Sequence, residues 1–241
     1  MSTTSSPFTQ AVVTAVRKLY PEKLADSSFD NTGHPIIFRP LKAVTLANSQ
    51  QNSLLRLAQE GISVYSPHTA VDAAPEGLND WLADIVTNKP LKKDPSISVE
   101  SIDHERSIIN TVKIYPMDSK VLVGGRISGL SVAVPQSIPK GQKSSVEISS
   151  IGICAGSGGS MLNGLDVDLL FTGELSHHEA LAAVEQGKCV VTAFHSNTER
   201  AFLKDRMQSA LTEAMEGKAD IAVSEVDRDP FDIIHKDEVN W

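Results

Sequence analysis

From Val146 to Met215 the chain alternates short apolar runs with helical stretches, and this alternation constrains the fold more than any other feature. Val146–Cys154, Val167–Phe171 and Cys189–Phe194 read as strands. The first runs into Gly156-Ser157-Gly158-Gly159-Ser160. A helix over Ser176–Gln186 follows the second, and Ser196 opens a long helix to about Met215 after the third. Strands that alternate with helices imply an α/β fold.

The N-terminal half is less regular. Phe8, Val12, Val13, Val16, Leu19 and Tyr20 recur at helical spacing, and Pro21 ends that helix. Leu24 to Gly33 reads as loop. A second helix is predicted over Gln50–Glu60, stopping at Gly61. Ile62-Ser63-Val64-Tyr65 alternates like a strand, and Asn79–Thr87 reads as a helix with Trp81, Leu82, Ile85 and Val86 on its apolar face. Residues 89–107 are polar, with Pro90 and Pro95, and are the expected hinge between lobes 1–88 and 108–241. Beyond it, Ile108–Val112 and Lys120–Val123 are expected strands, and Ser131–Lys143, with Pro135, Pro139 and Gly141, is expected to include a loop.

Composition excludes several classes. Lys plus Arg number 22 against 30 Asp plus Glu, a net charge of −8, which argues against bulk nucleic-acid binding. No apolar run approaches the roughly 18 residues a membrane helix needs. Cys154 and Cys189 form neither a disulfide framework nor a zinc spacing and read as packing residues, so a reducing compartment is expected. The Ser/Thr-rich start reads as an unstructured lead into the first helix, with a transit peptide as the less favoured alternative. The cytoplasm is therefore the expected location, with mitochondrion and nucleus as alternatives.

Four clusters carry chemistry. Ser66-Pro67-His68-Thr69-Ala70-Val71-Asp72 follows an expected strand end, where α/β folds place functional groups. His68 and Asp72 are either site residues or hold the loop by local hydrogen bonds. In the second cluster, His195 ends a strand and Glu199 lies one helical turn later, so the two can share one metal ion. The competing reading is a capping box, Ser196-x-x-Glu199. A second box, Ser176-x-x-Glu179, makes the run from Gly173 mainly structural. His177 and His178 there are a poor chelate, and Glu174 is the better site candidate. The fourth cluster, Gly156, Ser157 and Gly158, is either an anion cradle or a tight turn. It lacks the Gly-Lys-Ser/Thr of a phosphate loop and the third glycine of a dinucleotide fingerprint. No Gly-x-Ser-x-Gly elbow accompanies these clusters.

Five ordered blocks resemble one family. They are Ser66–Asp72 with Ala73-Ala74, Gly77-Leu78-Asn79-Asp80-Trp81-Leu82, Cys154–Gly159, Thr172–Glu179 and His195–Arg200. Together they resemble the Nif-three-like (NGG-one-interacting-factor-three) proteins, also labelled GTP cyclohydrolase 1 type 2 homologs. Lys18-Leu19-Tyr20-Pro21 and Asp30-Asn31-Thr32-Gly33 resemble fungal members. The resemblance implies two interlinked α/β lobes, a homo-oligomer and a two-metal site at the lobe junction. It maps the metal ligands onto His34, Asp72, His195 and Glu199. Zinc, iron or manganese, one or two ions per chain, would be the cofactor. Hydrolysis of an unidentified small molecule is the implied activity, with His68 and Glu174 as candidate catalytic groups. A non-enzymatic adaptor, or a partner of a transcription cofactor, is the alternative.

The chain departs from the family pattern after Gly33. His34-Pro35 follows directly, where the family continues with a βαβ segment, a unit of about 30 residues or more. Gly33 replaces the histidine that would precede His34. Loss of that segment predicts exposed apolar surface in the N-terminal lobe. It also predicts weaker metal binding, or one ion in place of two held about 3.5–4 Å apart.

Overall fold

A computed structural model describes residues 6–26, 44–87, 98–103, 106–110, 130–139, 142–143, 146–227 and 230–231. Among the described residues, four α-helices precede the sheet: α1 (Pro7–Leu19), α2 (Ser49–Gln59), α3 (Thr69–Ala73) and α4 (Leu78–Thr87). Ser6 caps α1 by accepting from the Thr9 amide, with Pro7 in its first turn. Asn48 caps α2 in the same way, and Gly61 follows that helix at φ +68°.

The sheet has the strand order β1-β2-β4-β5-β6-β3. Its strands are β1 (Ser98–Asp103), β2 (Arg106–Asn110), β3 (Ser131–Ala133), β4 (Ser150–Ser157), β5 (Leu169–Glu174) and β6 (Cys189–Thr192). The central strands β4, β5 and β6 are parallel, and their register sets Ile153, Phe171 and Val191 in one row. The remaining pairs are antiparallel. Short α5 (Gly159–Leu162) links β4 to β5, and α6 (His177–Glu185) links β5 to β6. The expected α/β class is therefore observed.

Helices cover both faces of the parallel core. Ile151, Ile153, Leu169, Phe171 and Val191 face α4, through Trp81 and Leu82, and Phe202. Leu170, Val190 and Cys154 face Leu162, Leu165 and Ala183. Strands buried on both faces read as unbroken apolar runs, and Leu169-Leu170-Phe171 is such a run. Phe202 meets Tyr20 and Trp81 edge-to-face, at centroid distances of 6.5 and 6.0 Å.

Two expectations change. Ile62–Tyr65 is not a strand: its backbone is coil, with Ile62 53% and Val64 41% exposed. Local pattern favours a strand there, but a strand forms only against a ladder partner, and among the described residues none lies beside it. Val44 and Leu46 are also exposed, so apolar side chains lie open along 44–64. The expected hinge, 89–107, contributes β1, which pairs with β2 and through it with β4; 88–97 and 104–105 lie outside the described residues. The span 131–143 opens with β3, an edge strand on β6, and residues 134–139 then form the expected loop. The strand expected at Lys120–Val123 also lies outside the described residues.

Candidate metal centre

The parallel strands all point to one edge of the sheet, the edge that carries ligands in open α/β folds. β4 ends there at Gly156-Ser157, β5 at Gly173-Glu174, and β6 leads through Ala193 and Phe194 to His195. The imidazole of His195 lies between two carboxylates. Its Nδ1 is 3.1 Å from Glu174 Oε2, and its Nε2 is 3.3 Å from Glu199 Oε1. Gly156, at φ +65°, forms the floor of the site. A Cβ at that position would stand 2.7 Å from Glu199 Oε1 and 3.0 Å from His195 Nε2. Only glycine fits a left-handed backbone this close to two functional atoms.

Local structure explains the convergence. Phe194 adopts φ +67°, uncommon for a bulky residue, and so turns the chain sharply at the end of β6. The Ser196–Thr198 3₁₀ turn follows. The Thr198 hydroxyl, fully buried, accepts from the Gly156 amide at 2.8 Å and donates to the His195 carbonyl at 2.7 Å. It ties the glycine turn of β4 to the histidine turn of β6. Thr172 does the same one strand over, accepting from the Gly158 amide and donating to the Gly156 carbonyl. Gly173 lets these backbones touch, since a Cβ there would lie 2.6 Å from the Gly156 oxygen. Sequence reasoning passed over both threonines. Thr172 carried one signal, a hydroxyl at the end of an apolar run, where a buried polar group must find a partner; Thr198, in a polar turn, carried none.

Glu199 is not the cap the Ser196-x-x-Glu199 pattern predicts. Its amide bonds the Ser196 carbonyl, no side-chain cap forms, and its carboxylate faces His195. Burial raises its carboxyl above the ordinary range. His195, then His68 and Arg200, pull against that rise, while Glu174 adds to it. The expected long helix starts beyond this turn, as α7 (Arg200–Phe202). It passes through a π-helical stretch, Leu203–Met207, into α8 (Gln208–Ala214). Such stretches recur near functional sites.

The other candidates divide. His68 sits half-buried just before α3 at φ 39°, ψ −124°, a strained conformation. Asp72 lies in α3, and Asn79, nearly fully buried, links that turn to the site. Asn79 donates to the Asp72 carbonyl at 3.3 Å and accepts from the Ala155 amide at 2.9 Å. His34 lies outside the described residues. Gly156, Ser157 and Gly158 are not an open anion cradle. The amides of Gly156 and Gly158 are spent on threonine hydroxyls, and the Glu179 carboxylate fills the space where a Cβ of Gly159 would stand.

A divalent ion at this edge would need donors about 2.0–2.2 Å from it. Two donors 3.3 Å apart, like His195 Nε2 and Glu199 Oε1, match one edge of such a coordination sphere. The donor types suit zinc, iron or manganese. Among the described residues, no group of three or more His, Cys, Asp or Glu side chains is assembled to hold a metal. The pair therefore fits an ion but does not enclose one. No helix among the described residues is long and apolar enough to cross a membrane.

The profile of the Duf34/NIF3 (NGG1p interacting factor 3) family matches residues 32–230, and the chain belongs to that family. It is 41% identical over 232 residues to the Schizosaccharomyces pombe protein NIF3 homolog, covering 87% of this chain and 80% of that one. It is 32% identical over 283 residues to NGG1-interacting factor 3 of Saccharomyces cerevisiae, covering 92% and 96%. That second alignment is longer than the 241-residue chain, so the relative carries internal residues that this chain lacks. Among solved structures, the fold is shared with Staphylococcus aureus hypothetical protein SA1388 at TM-score 0.68 and 16% identity, covering 92% of this chain and 97% of that one. It is also shared with reduced HcgD from Methanocaldococcus jannaschii at TM-score 0.64 and 18% identity, covering 85% and 93%.

Proposed function

We propose that this chain binds a divalent cation through His195 and Glu199 and serves a hydrolase-type reaction on a small molecule. The observation that supports it is the position of Glu174 on His195 Nδ1, opposite Glu199 on Nε2. A proton on Nδ1 shared with Glu174 leaves the Nε2 lone pair for a metal, the usual arrangement of a carboxylate, a histidine and an ion. When bound, the ion would supply a more acidic water and a polarised substrate oxygen. Glu174 orients the ring, and Thr198 and Gly156 fix its distance from Glu199. His68 is the neighbouring group suited to pass a proton. Asp72 and His34 are the expected further ligands. With Gly33 in place of a second histidine, one ion bound weakly is the expected stoichiometry.

Titration with zinc or manganese, followed calorimetrically, tests this reading. His195→Ala should abolish binding, and Glu174→Gln should weaken it by about 10- to 100-fold. Unchanged affinity in both variants would refute it. The name of the Saccharomyces cerevisiae relative, NGG1-interacting factor 3, favours a second reading, an oligomeric adaptor that presents a surface to a protein partner. Under that reading, the same variants would leave partner capture intact.

A further inference from the structure

One charged residue of the His195–Arg200 block has no part in the metal pair. Arg200 follows Glu199 directly, and its charge reaches the Glu199 carboxyl. Its guanidinium is forked onto Asp227, with Nε donating to Oδ2 at 2.7 Å and a terminal nitrogen to Oδ1 at 3.2 Å. This two-point geometry is how arginine recognises carboxylates and phosphates.

The carboxylate arrives on a strap. After α8, Glu216 at φ +53° and Gly217 at φ +70° reverse the chain, which then returns along the helix it has just left. Gln208 Nε2 donates to the Ile221 carbonyl at 2.8 Å, and two helical turns nearer the site Arg200 holds Asp227. Residues 221–227 have no helix or strand, and the Val226 side chain is 91% exposed, so little burial holds the strap's end. The ion pair is open to water on the strap side, with the Arg200 side chain half-buried at 32% and Asp227 exposed at 55%. Exposed pairs contribute little to stability.

We propose that Arg200 is the anchor for a phosphate group of the molecule handled at His195 and Glu199, and that Asp227 holds its place until that group displaces it. The charge of the displacing group follows from competition. A tethered carboxylate acts at an effective concentration in the millimolar range. A free carboxylate of equal charge and geometry competes poorly with it. A phosphate monoester offers the same pair of oxygens with nearly twice the charge. The proposal deepens the metal-centre reading, yet phosphate affinity can be measured with metal chelated.

The test is the thermal midpoint of the full chain against inorganic phosphate, in chelator, with ionic strength held constant by chloride. Phosphate should raise the midpoint of the wild type. Asp227→Asn should increase the apparent affinity by about two- to five-fold, the range an exposed ion pair is worth, and Asp227→Ser should agree with it. Arg200→Gln should remove the effect. Equal affinity in wild type and both Asp227 variants would reduce the pair to a structural clasp and overturn the proposal. So would phosphate stabilisation that survives Arg200→Gln, or no phosphate effect in any variant. Metal binding without phosphate binding would sink the anchor and leave the metal centre standing; the reverse result would do the opposite.

Discussion

Two Ser-x-x-Glu turns stand side by side at the same edge of the sheet, one after β5 and one after β6, and they do opposite things. At the first, Ser176 accepts from the Glu179 amide and Glu179 accepts from the Ser176 amide, a closed capping box on α6. At the second, Ser196 caps nothing and Glu199 turns to His195. The difference lies in what precedes each serine. Leu175 leads straight into its helix. Phe194, at positive φ, and His195 start a 3₁₀ turn that carries the Ser196 side chain out of register. A capping motif is thus satisfied only when the backbone enters the helix from an extended residue, as at Ser176 (φ −68°, ψ 157°). Where entry is strained, the glutamate is released for other work.

A glycine of the β4 turn backs each glutamate, which gives the sharpest way to break the contrast. Gly156→Ala forces a Cβ into Glu199 and His195, and Gly159→Ala forces one to 2.2 Å from Glu179 Oε1. Gly156→Ala should cost about 1–3 kcal/mol from left-handed backbone strain, read as a lower denaturant midpoint, whereas at Gly159 the Glu179 carboxylate, the end of a flexible side chain, can swing away, so the cost is that of the lost cap, about 1 kcal/mol. Only Gly156→Ala should abolish metal binding. Next in size is Thr198→Val. It strands the Gly156 amide, while the His195 carbonyl keeps the Thr198 amide, a loss of about 1–3 kcal/mol, and should weaken metal binding as well. Ser176→Ala should cost about 1 kcal/mol and leave metal affinity unchanged in the same calorimetric titration.

The smallest effect separates the two carboxylates by pH. Hydrogen bonds from the Ser176 side chain and then its backbone hold Glu179 below the ordinary carboxylate range. Its stabilisation is present above the ordinary value and is lost as pH falls through the depressed one. Burial holds Glu199 above that range, so its ionisation opposes folding. The stability it allows is present below the ordinary value and is lost as pH rises through the raised one. Glu199→Gln in metal-free protein should therefore unfold at the same temperature as wild type, or higher, near neutral pH, whereas Glu179→Ala should unfold lower. Thermal melts at several pH values would show whether the order holds.

The parallel core was legible because Leu169-Leu170-Phe171 and Cys189-Val190-Val191 are buried on both faces and can be little else. Ile62–Tyr65 was misread because alternation reports what a segment could pair with, not whether its partner exists. His195 and Glu199 were legible as a pair from their spacing. Whether Glu199 would cap or face His195 was not, because that choice rests on the φ of Phe194 and on hydrogen bonds from Gly156 to Thr198, more than forty residues apart. The glycine run looked like an anion cradle for the same reason. Free amides are common at such turns, and only the tertiary position of Thr172 and Thr198 shows that these are spent.

The central claim is that the released glutamate, and not the capping one, is a metal ligand. The most direct measurement is metal content per chain by plasma mass spectrometry, on untagged protein purified without chelators, for wild type, Glu199→Gln and Glu179→Gln. About one ion per chain in wild type and Glu179→Gln, with background in Glu199→Gln, is the predicted result. Equal metal content in all three, or background in wild type after loading with zinc, manganese and iron, would contradict it.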